Sequence, residues 1–200
     1  MRIYLARHAQ SQWQLQATQD GDTDLTAMGH EQARRMAQWL ADHDRLDHAT
    51  RIEIAALCSS PYKRAQDTAT YVSSALRLSV CTYPNLREAD FHVADHLPVS
   101  ETPLQTPVNC VLSDRYLAFK VQVRAGFEEL IGQVEAARGP VLAVTHGGFI
   151  KTLLRLIGGT DAVCFQLYNT GLSAIEWRRG RWHLVYLNLW DHLPAELRTV

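Results

Sequence analysis

Val141-Leu142-Ala143-Val144-Thr145-His146-Gly147-Gly148 is the stretch on which the fold turns. Its four leading apolar residues are the most strand-like run of the chain, and a Thr-His pair with two glycines ends that run where a helix from Phe149 to Leu156 begins. A short run with no polar alternation suits a strand covered on both faces, as in a parallel sheet. Working outward, the same unit recurs. Ile52 to Cys58 reads as a second buried strand. Ser59-Ser60-Pro61 then starts a helix from Tyr62 to about Leu76, with serine as cap and proline in the first turn. Leu78 to Tyr83 is a third short strand.

At the N-terminus Arg2 to Ala6 is a strand, and residues 9 to 24 form a polar, Gln-rich loop. Thr26 caps a helix carrying Ala33, Met36, Ala37 and Leu40 at helical spacing, which Asp42-His43-Asp44 ends. Pro84 to Asp114 holds four prolines and no sustained period, so an excursion at about 84–115 is expected, of the kind that forms lids and binding loops. A long helix from Tyr116 to about Ala137 follows and is stopped by Gly139-Pro140. Leu172 to Trp177, a turn at Arg178-Arg179-Gly180, and Trp182 to Leu189 make a closing hairpin. Strands alternating with amphipathic helices imply an α/β class: a three-layer α/β/α sandwich around a mostly parallel sheet, with the antiparallel C-terminal hairpin at the side. A single domain over residues 1–200 is expected.

Composition limits the partners. The chain has 200 residues, 46% hydrophobic and 20% charged, with 20 Lys and Arg against 21 Asp and Glu. That balance gives no reason to expect a nucleic acid or a membrane surface, so any anion site is local. No apolar run approaches the roughly 18 to 20 residues of a membrane-spanning helix, and residues 1–25 lack the order of a signal peptide. A cytoplasmic protein is expected, and a homodimer is left open. Cys58, Cys81, Cys110 and Cys164 form no CxxC pair and read as reduced, mostly buried thiols.

In a mainly parallel sheet the ligand site lies beyond the carboxyl ends of the strands. Three polar clusters fall there: Arg7-His8, Ser59-Ser60 with Arg64, and Thr145-His146-Gly147. Arginine offers a planar fork of donors to a phosphate, and a neutral histidine is a nucleophile or base near pH 7. Arg64 sits one turn into a helix, and Gly147 and Gly148 expose amides at the start of another. Two arginines, two histidines and two helix N-termini around one crevice describe a site for a doubly charged phosphoryl group.

Together these residues resemble the histidine phosphatase superfamily, in the branch that also contains cofactor-dependent phosphoglycerate mutases. The resemblance rests on Leu5-Ala6-Arg7-His8-Ala9-Gln10-Ser11, Leu25-Thr26 with Gly29 and Gln32-Ala33, and Ser59-Ser60-Pro61 with Arg64-Ala65 and Thr68-Ala69. Leu86-Arg87-Glu88, Thr145-His146-Gly147-Gly148 and Asn169-Thr170-Gly171-Leu172 complete it. It implies that His8 is the nucleophile, that Arg7, Arg64 and His146 bind the phosphoryl oxygens, and that Glu88 gives a proton to the leaving group. Gly147, Ser11, Gln14 and His92 are further candidates for phosphate or substrate contacts. No cofactor and no metal is expected, and the partner is a small phosphomonoester.

The sequence departs from the family pattern at Ala9, at Gln14 and after Glu88, where Ala89-Asp90-Phe91-His92-Val93-Ala94-Asp95 replaces the family's glycine-bearing motif. Ala9 stands where glycine is usual, which is harmless only if φ stays negative. Gln14 stands where mutases and many phosphatases carry asparagine. Asp90 and Glu101 are rivals to Glu88, and His92 with His96, Asp90 and Asp95 could be read as a metal site at i, i+4 spacing. Trp13 and Phe91 could wall the pocket. Hydrolysis of a small phosphorylated metabolite is the favoured activity; mutase-type phosphoryl transfer and a noncatalytic phospho-ligand module are the alternatives.

Overall fold

The computed structural model describes residues 1–16, 22–42, 46–47, 50–104 and 111–200. Its centre is a six-stranded sheet made of β1 (Arg2–Arg7), β4 (Ala56–Ser59), β5 (Val80–Thr82), β6 (Val141–Thr145), β7 (Leu172–Arg178) and β8 (Arg181–Leu189). A separate two-residue pair, β2 (Leu46–Asp47) and β3 (Thr50–Arg51), lies outside it. The order β5-β4-β6-β1-β7-β8 places β1, β6 and β4 side by side. These three and β5 run parallel, whereas β7 and β8 are antiparallel, as expected of the closing hairpin. The turn between β7 and β8 has φ of 51° at Arg179 and 77° at Gly180, the backbone twist that suits a two-residue hairpin.

Side chains alternate across the sheet. Ile3, Leu5, Val141 and Ala143 face the helices α4 (Asp114–Ala137) and α5 (Gly147–Gly158), where Val123, Leu130, Phe149, Ile150 and Leu153 complete one core. Tyr4, Ala6, Leu142 and Val144 face the opposite helices, α2 (Ala27–Ala41) and α3 (Lys63–Leu76), which contribute Met36, Leu40, Ala65, Ala69 and Val72 to a second core. Helices on both faces make the three layers.

Several boundaries differ from the sequence expectation. The strand expected from Ile52 begins only at Ala56; before it, the Ala55 amide already donates to the Pro140 carbonyl at 2.7 Å. A short helix α1 (Gln12–Gln16) stands in the expected loop. Thr26 caps α2, its hydroxyl accepting from the Gly29 amide at 2.9 Å. A Cβ at Gly29 would collide with the Gln10 carbonyl, so only glycine lets this turn sit against the Arg-His strand end. Asp42 ends α2; His43 and Asp44 lie outside the described residues.

Ser60 is not the helix cap. α3 starts at Lys63 behind Tyr62, and the Ser60 hydroxyl is turned to other partners. The excursion holds two 3-10 turns, Pro84–Leu86 and Val93–His96, pinned by the buried Leu86, Val93 and Leu97; Pro107 and Cys110 lie outside the described residues. Of the other thiols only Cys58 is buried, which corrects the expectation of mostly buried cysteines. Burial pushes the Cys58 thiol up to about 12. None of the helices among the described residues is long and apolar enough to cross a membrane.

Candidate active site

The strand order brings the three expected clusters together, because β1, β6 and β4 end side by side. His8 follows β1 directly, its amide donating to the Thr145 carbonyl at 2.8 Å. The loop before β7 clamps this strand end: the Asn169 side-chain amide donates to the His8 carbonyl at 2.9 Å and the Thr170 amide donates to the Arg7 carbonyl at 3.0 Å. Thr170 does so in the left-handed region, φ 58°, which is costly for a β-branched residue. Its hydroxyl pairs with His192 Nε2 at 3.0 Å. Strain is thus held where the backbone of Arg7 and His8 is fixed. Ala9 is fully buried and has no positive φ, so its Cβ is accommodated without strain.

His8 is 4% exposed. Its Nδ1 lies 2.7 Å from the Ala9 carbonyl oxygen, so Nδ1–H donates and Nε2 keeps its lone pair. Arg64 Nε–H donates to that Nε2 at 3.2 Å. Burial, with the charges of Arg64 and Arg7 added, pushes the His8 pKa well below 6.5. The His146 ring stands with its centroid 5.1 Å away and bonds the Ser60 hydroxyl through Nε2 at 2.7 Å. Its Nδ1 is buried with no partner among the described residues. Burial, then His8, Arg64 and Arg7, also hold His146 well below 6.5.

Arg7 donates from Nη1 to the Leu167 carbonyl at 2.6 Å, while its buried Nε has no partner among the described residues. Arg64 is almost fully buried, faces Asp22 at 3.7 Å and lies over the Tyr62 ring at 4.9 Å. Burial pushes both guanidinium groups below their ordinary value, with Glu88 acting in the opposite sense; arginine stays charged at any physiological pH. The Glu88 carboxylate accepts from the Gly148 amide at 2.9 Å and from the Phe149 and Ala89 amides at 3.1 Å, so it sits on the N-terminus of α5. A Cβ at Gly148 would collide with that carboxylate, whereas one at Gly147 would come no closer than 3.5 Å to Arg7.

These groups open into a cavity of about 870 Å³ lined by Arg7, His8, Arg64, Glu88, Gly147 and Gly148. Trp13, Phe91 and His92 also line it, as do Tyr62, Asp22, Lys151, Arg155 and Phe165, which sequence reasoning did not single out. Lys151 and Arg155 had a readable signal, an i, i+4 pair on the helix opened by Gly147. A smaller depression of about 460 Å³ between Met1, Glu53, Arg138 and Glu176 lies at the other ends of the strands. His146, Ser11 and Gln14 stand behind the cavity wall. Gln14 and Asn169 exchange amide hydrogen bonds at 3.1 Å, and Gln14 also takes the Ser11 amide at 3.0 Å. The Ser11 hydroxyl is buried with no partner among the described residues. His92 pairs with Asp95 at 3.0 Å and His96 with the Ser113 hydroxyl at 2.6 Å, so the two rings are turned to different neighbours. Among the described residues no three His, Cys, Asp or Glu side chains are grouped to hold a metal.

An α/β sandwich with two arginines and two histidines converging at one helix start defines an anion-handling class. A model of the histidine phosphatase superfamily, branch 1, matches residues 3–189, and the chain belongs to that superfamily. It is 28% identical to the "uncharacterized phosphatase PhoE" of Bacillus subtilis (strain 168) over 98% of both chains. It is 28% identical to the "probable phosphoglycerate mutase GpmB" of Enterobacter sp. (strain 638), over 91% of this chain and 87% of that protein. Among solved structures, Bacillus stearothermophilus YhfR superposes with a TM-score of 0.73 at 22% identity, covering 96% of this chain and 98% of that one.

Proposed function

We propose that this protein is a phosphomonoesterase that hydrolyses a small phosphorylated metabolite through a phosphohistidine at His8, without a metal. The observation that carries the reading is the state of His8: Nδ1–H is committed to the Ala9 carbonyl, and the unprotonated Nε2 accepts from Arg64 Nε in a buried, cation-lined pocket. Nε2 attacks phosphorus as the ester P–O bond breaks. Arg7, Arg64 and Gly147 then line the space of the equatorial oxygens, where charge accumulates in phosphoryl transfer, and His146 stands behind them against His8 with its Nδ1 unpartnered among the described residues. Glu88 gives its proton to the departing alkoxide oxygen. In the second step it takes a proton from water, which attacks phosphorus, and the N–P bond breaks to free His8 and phosphate.

The same chemistry serves a mutase when the phosphoryl group returns to a different hydroxyl of the bound alcohol. A panel of sugar phosphates, phosphoglycerates, nucleotides and phosphohistidine peptides, scored for phosphate release and for isomer formation, separates the two. Release of phosphate without isomerisation is expected. Isomerisation outpacing release replaces the phosphatase reading with a mutase, and turnover lost on adding chelator removes the metal-free step.

A further inference from the structure

One wall of the cavity carries positive charge that the phosphoryl chemistry does not use. Lys151 and Arg155 follow Gly147 by one and two turns of α5, a rise of about 6 and 12 Å along the axis, and both line the cavity. Lys151 is near enough to Arg7 and Glu88 for their charges to act on it, and Arg155 lies one turn further from them along the same wall. Lys151 is half-buried, and no hydrogen bond or ion pair engages it among the described residues. Burial, with Arg7 and Arg155 nearby, lowers its pKa.

Arg155 is 3% exposed. Its Nε donates to the Val163 carbonyl at 2.8 Å, and its guanidinium meets the Tyr116 hydroxyl and the Phe165 ring. Its Nη1, however, is buried with no partner among the described residues. The carboxylate nearest in role, Asp161, is occupied by Lys120 at 2.6 Å and the Tyr116 hydroxyl at 2.7 Å. A buried guanidinium with an unmet donor is costly unless an anion completes it.

We propose that Lys151 and Arg155 form a second anion subsite that holds a carboxylate or phosphate at the far end of the phosphomonoester. The inference rests on the phosphomonoesterase reading for the first group and adds the class of substrate: a small molecule with a second negative charge a few bonds from its phosphate. Arginine supplies a fixed donor and lysine a mobile one, so the pair accepts either group, and the two are separated by experiment.

The test is calorimetric binding of three unhydrolysable phosphonates to the full-length chain. They are the analogues of glycerol phosphate, phosphoglycerate and glycerol bisphosphate, which differ only in a neutral, carboxylate or phosphate far end. At least one charged analogue is expected to bind about tenfold or more tightly than the neutral one, the preferred charge identifying the group. Lys151→Met collapses that ratio and Lys151→Arg keeps it; because the ratio is internal to each variant, a general loss of affinity does not imitate the effect. Equal affinity for the three, no binding of any, or a ratio that survives Lys151→Met overturns the subsite. Since no turnover is required, a chain that discriminates the analogues yet releases no phosphate from any ester contradicts the phosphatase reading alone.

Discussion

The Ala9 carbonyl fixes the Nδ1–H tautomer of His8, and burial with the charges of Arg64 and Arg7 favours the neutral ring, outweighing the opposite pull of that carbonyl. Protonation would remove the lone pair from Nε2, so activity fails only below the pKa of the ring in the folded protein. Because that pKa lies well below 6.5, kcat/KM should show no acid limb near pH 6.5, and a profile of kcat/KM against pH checks this. Glu88→Gln keeps an oxygen for the α5 amides but has no proton to give. It should lower kcat/KM, which reports the phosphorylation step, by about a hundredfold or more on alkyl phosphates and far less on p-nitrophenyl phosphate, whose leaving group needs no proton. Steady-state rates on the two ester types measure the difference. His8, Arg64 and His146 were legible as a set because His8 and His146 directly follow strand ends and Arg64 lies in the first turn of the helix after another. The distant partners of Gln14, Asn169 and the C-terminal Val200, were not, since they lie far along the chain.

At the scale of the element, α5 does two things with one N-terminus: it presents the Gly147 amide to the cavity and holds the Glu88 carboxylate on the amides of Gly148 and Phe149. The second glycine is the one with no room for a side chain. Gly148→Ala should displace Glu88 and lower kcat on alkyl phosphates by about a hundredfold, whereas Gly147→Ala should cost much less; kinetics of the two variants decide it. The apolar runs of β1 and β6 and the stripes of α2 and α4 were readable because burial on fixed faces imposes a period. Ser60 misled because its hydroxyl, a good cap in isolation, is taken by His146 at the end of the neighbouring strand, far along the chain. α1 escaped because five residues, three of them glutamine, are too few to show a helical period.

For the whole molecule, burying neutral histidines behind the sheet end makes stability depend on pH. His192, packed behind Thr170, is pushed down to about 4 by burial, and His8 and His146 also lie well below 6.5. Between pH 6.5 and 4 the unfolded chain therefore binds more protons than the folded one. Stability is full above about pH 6.5 and falls as the pH drops, by about 1.4 kcal/mol per pH unit for each such histidine. Melting temperatures across that range should decline steeply, and His192→Asn should flatten part of the decline. The central claim concerns the bond formed at His8. Brief incubation with a phosphomonoester labelled in its phosphate, an alkaline quench and peptide mapping should find the label on His8, stable to alkali and lost in acid; label on another residue, or turnover with no label on the chain, would contradict it.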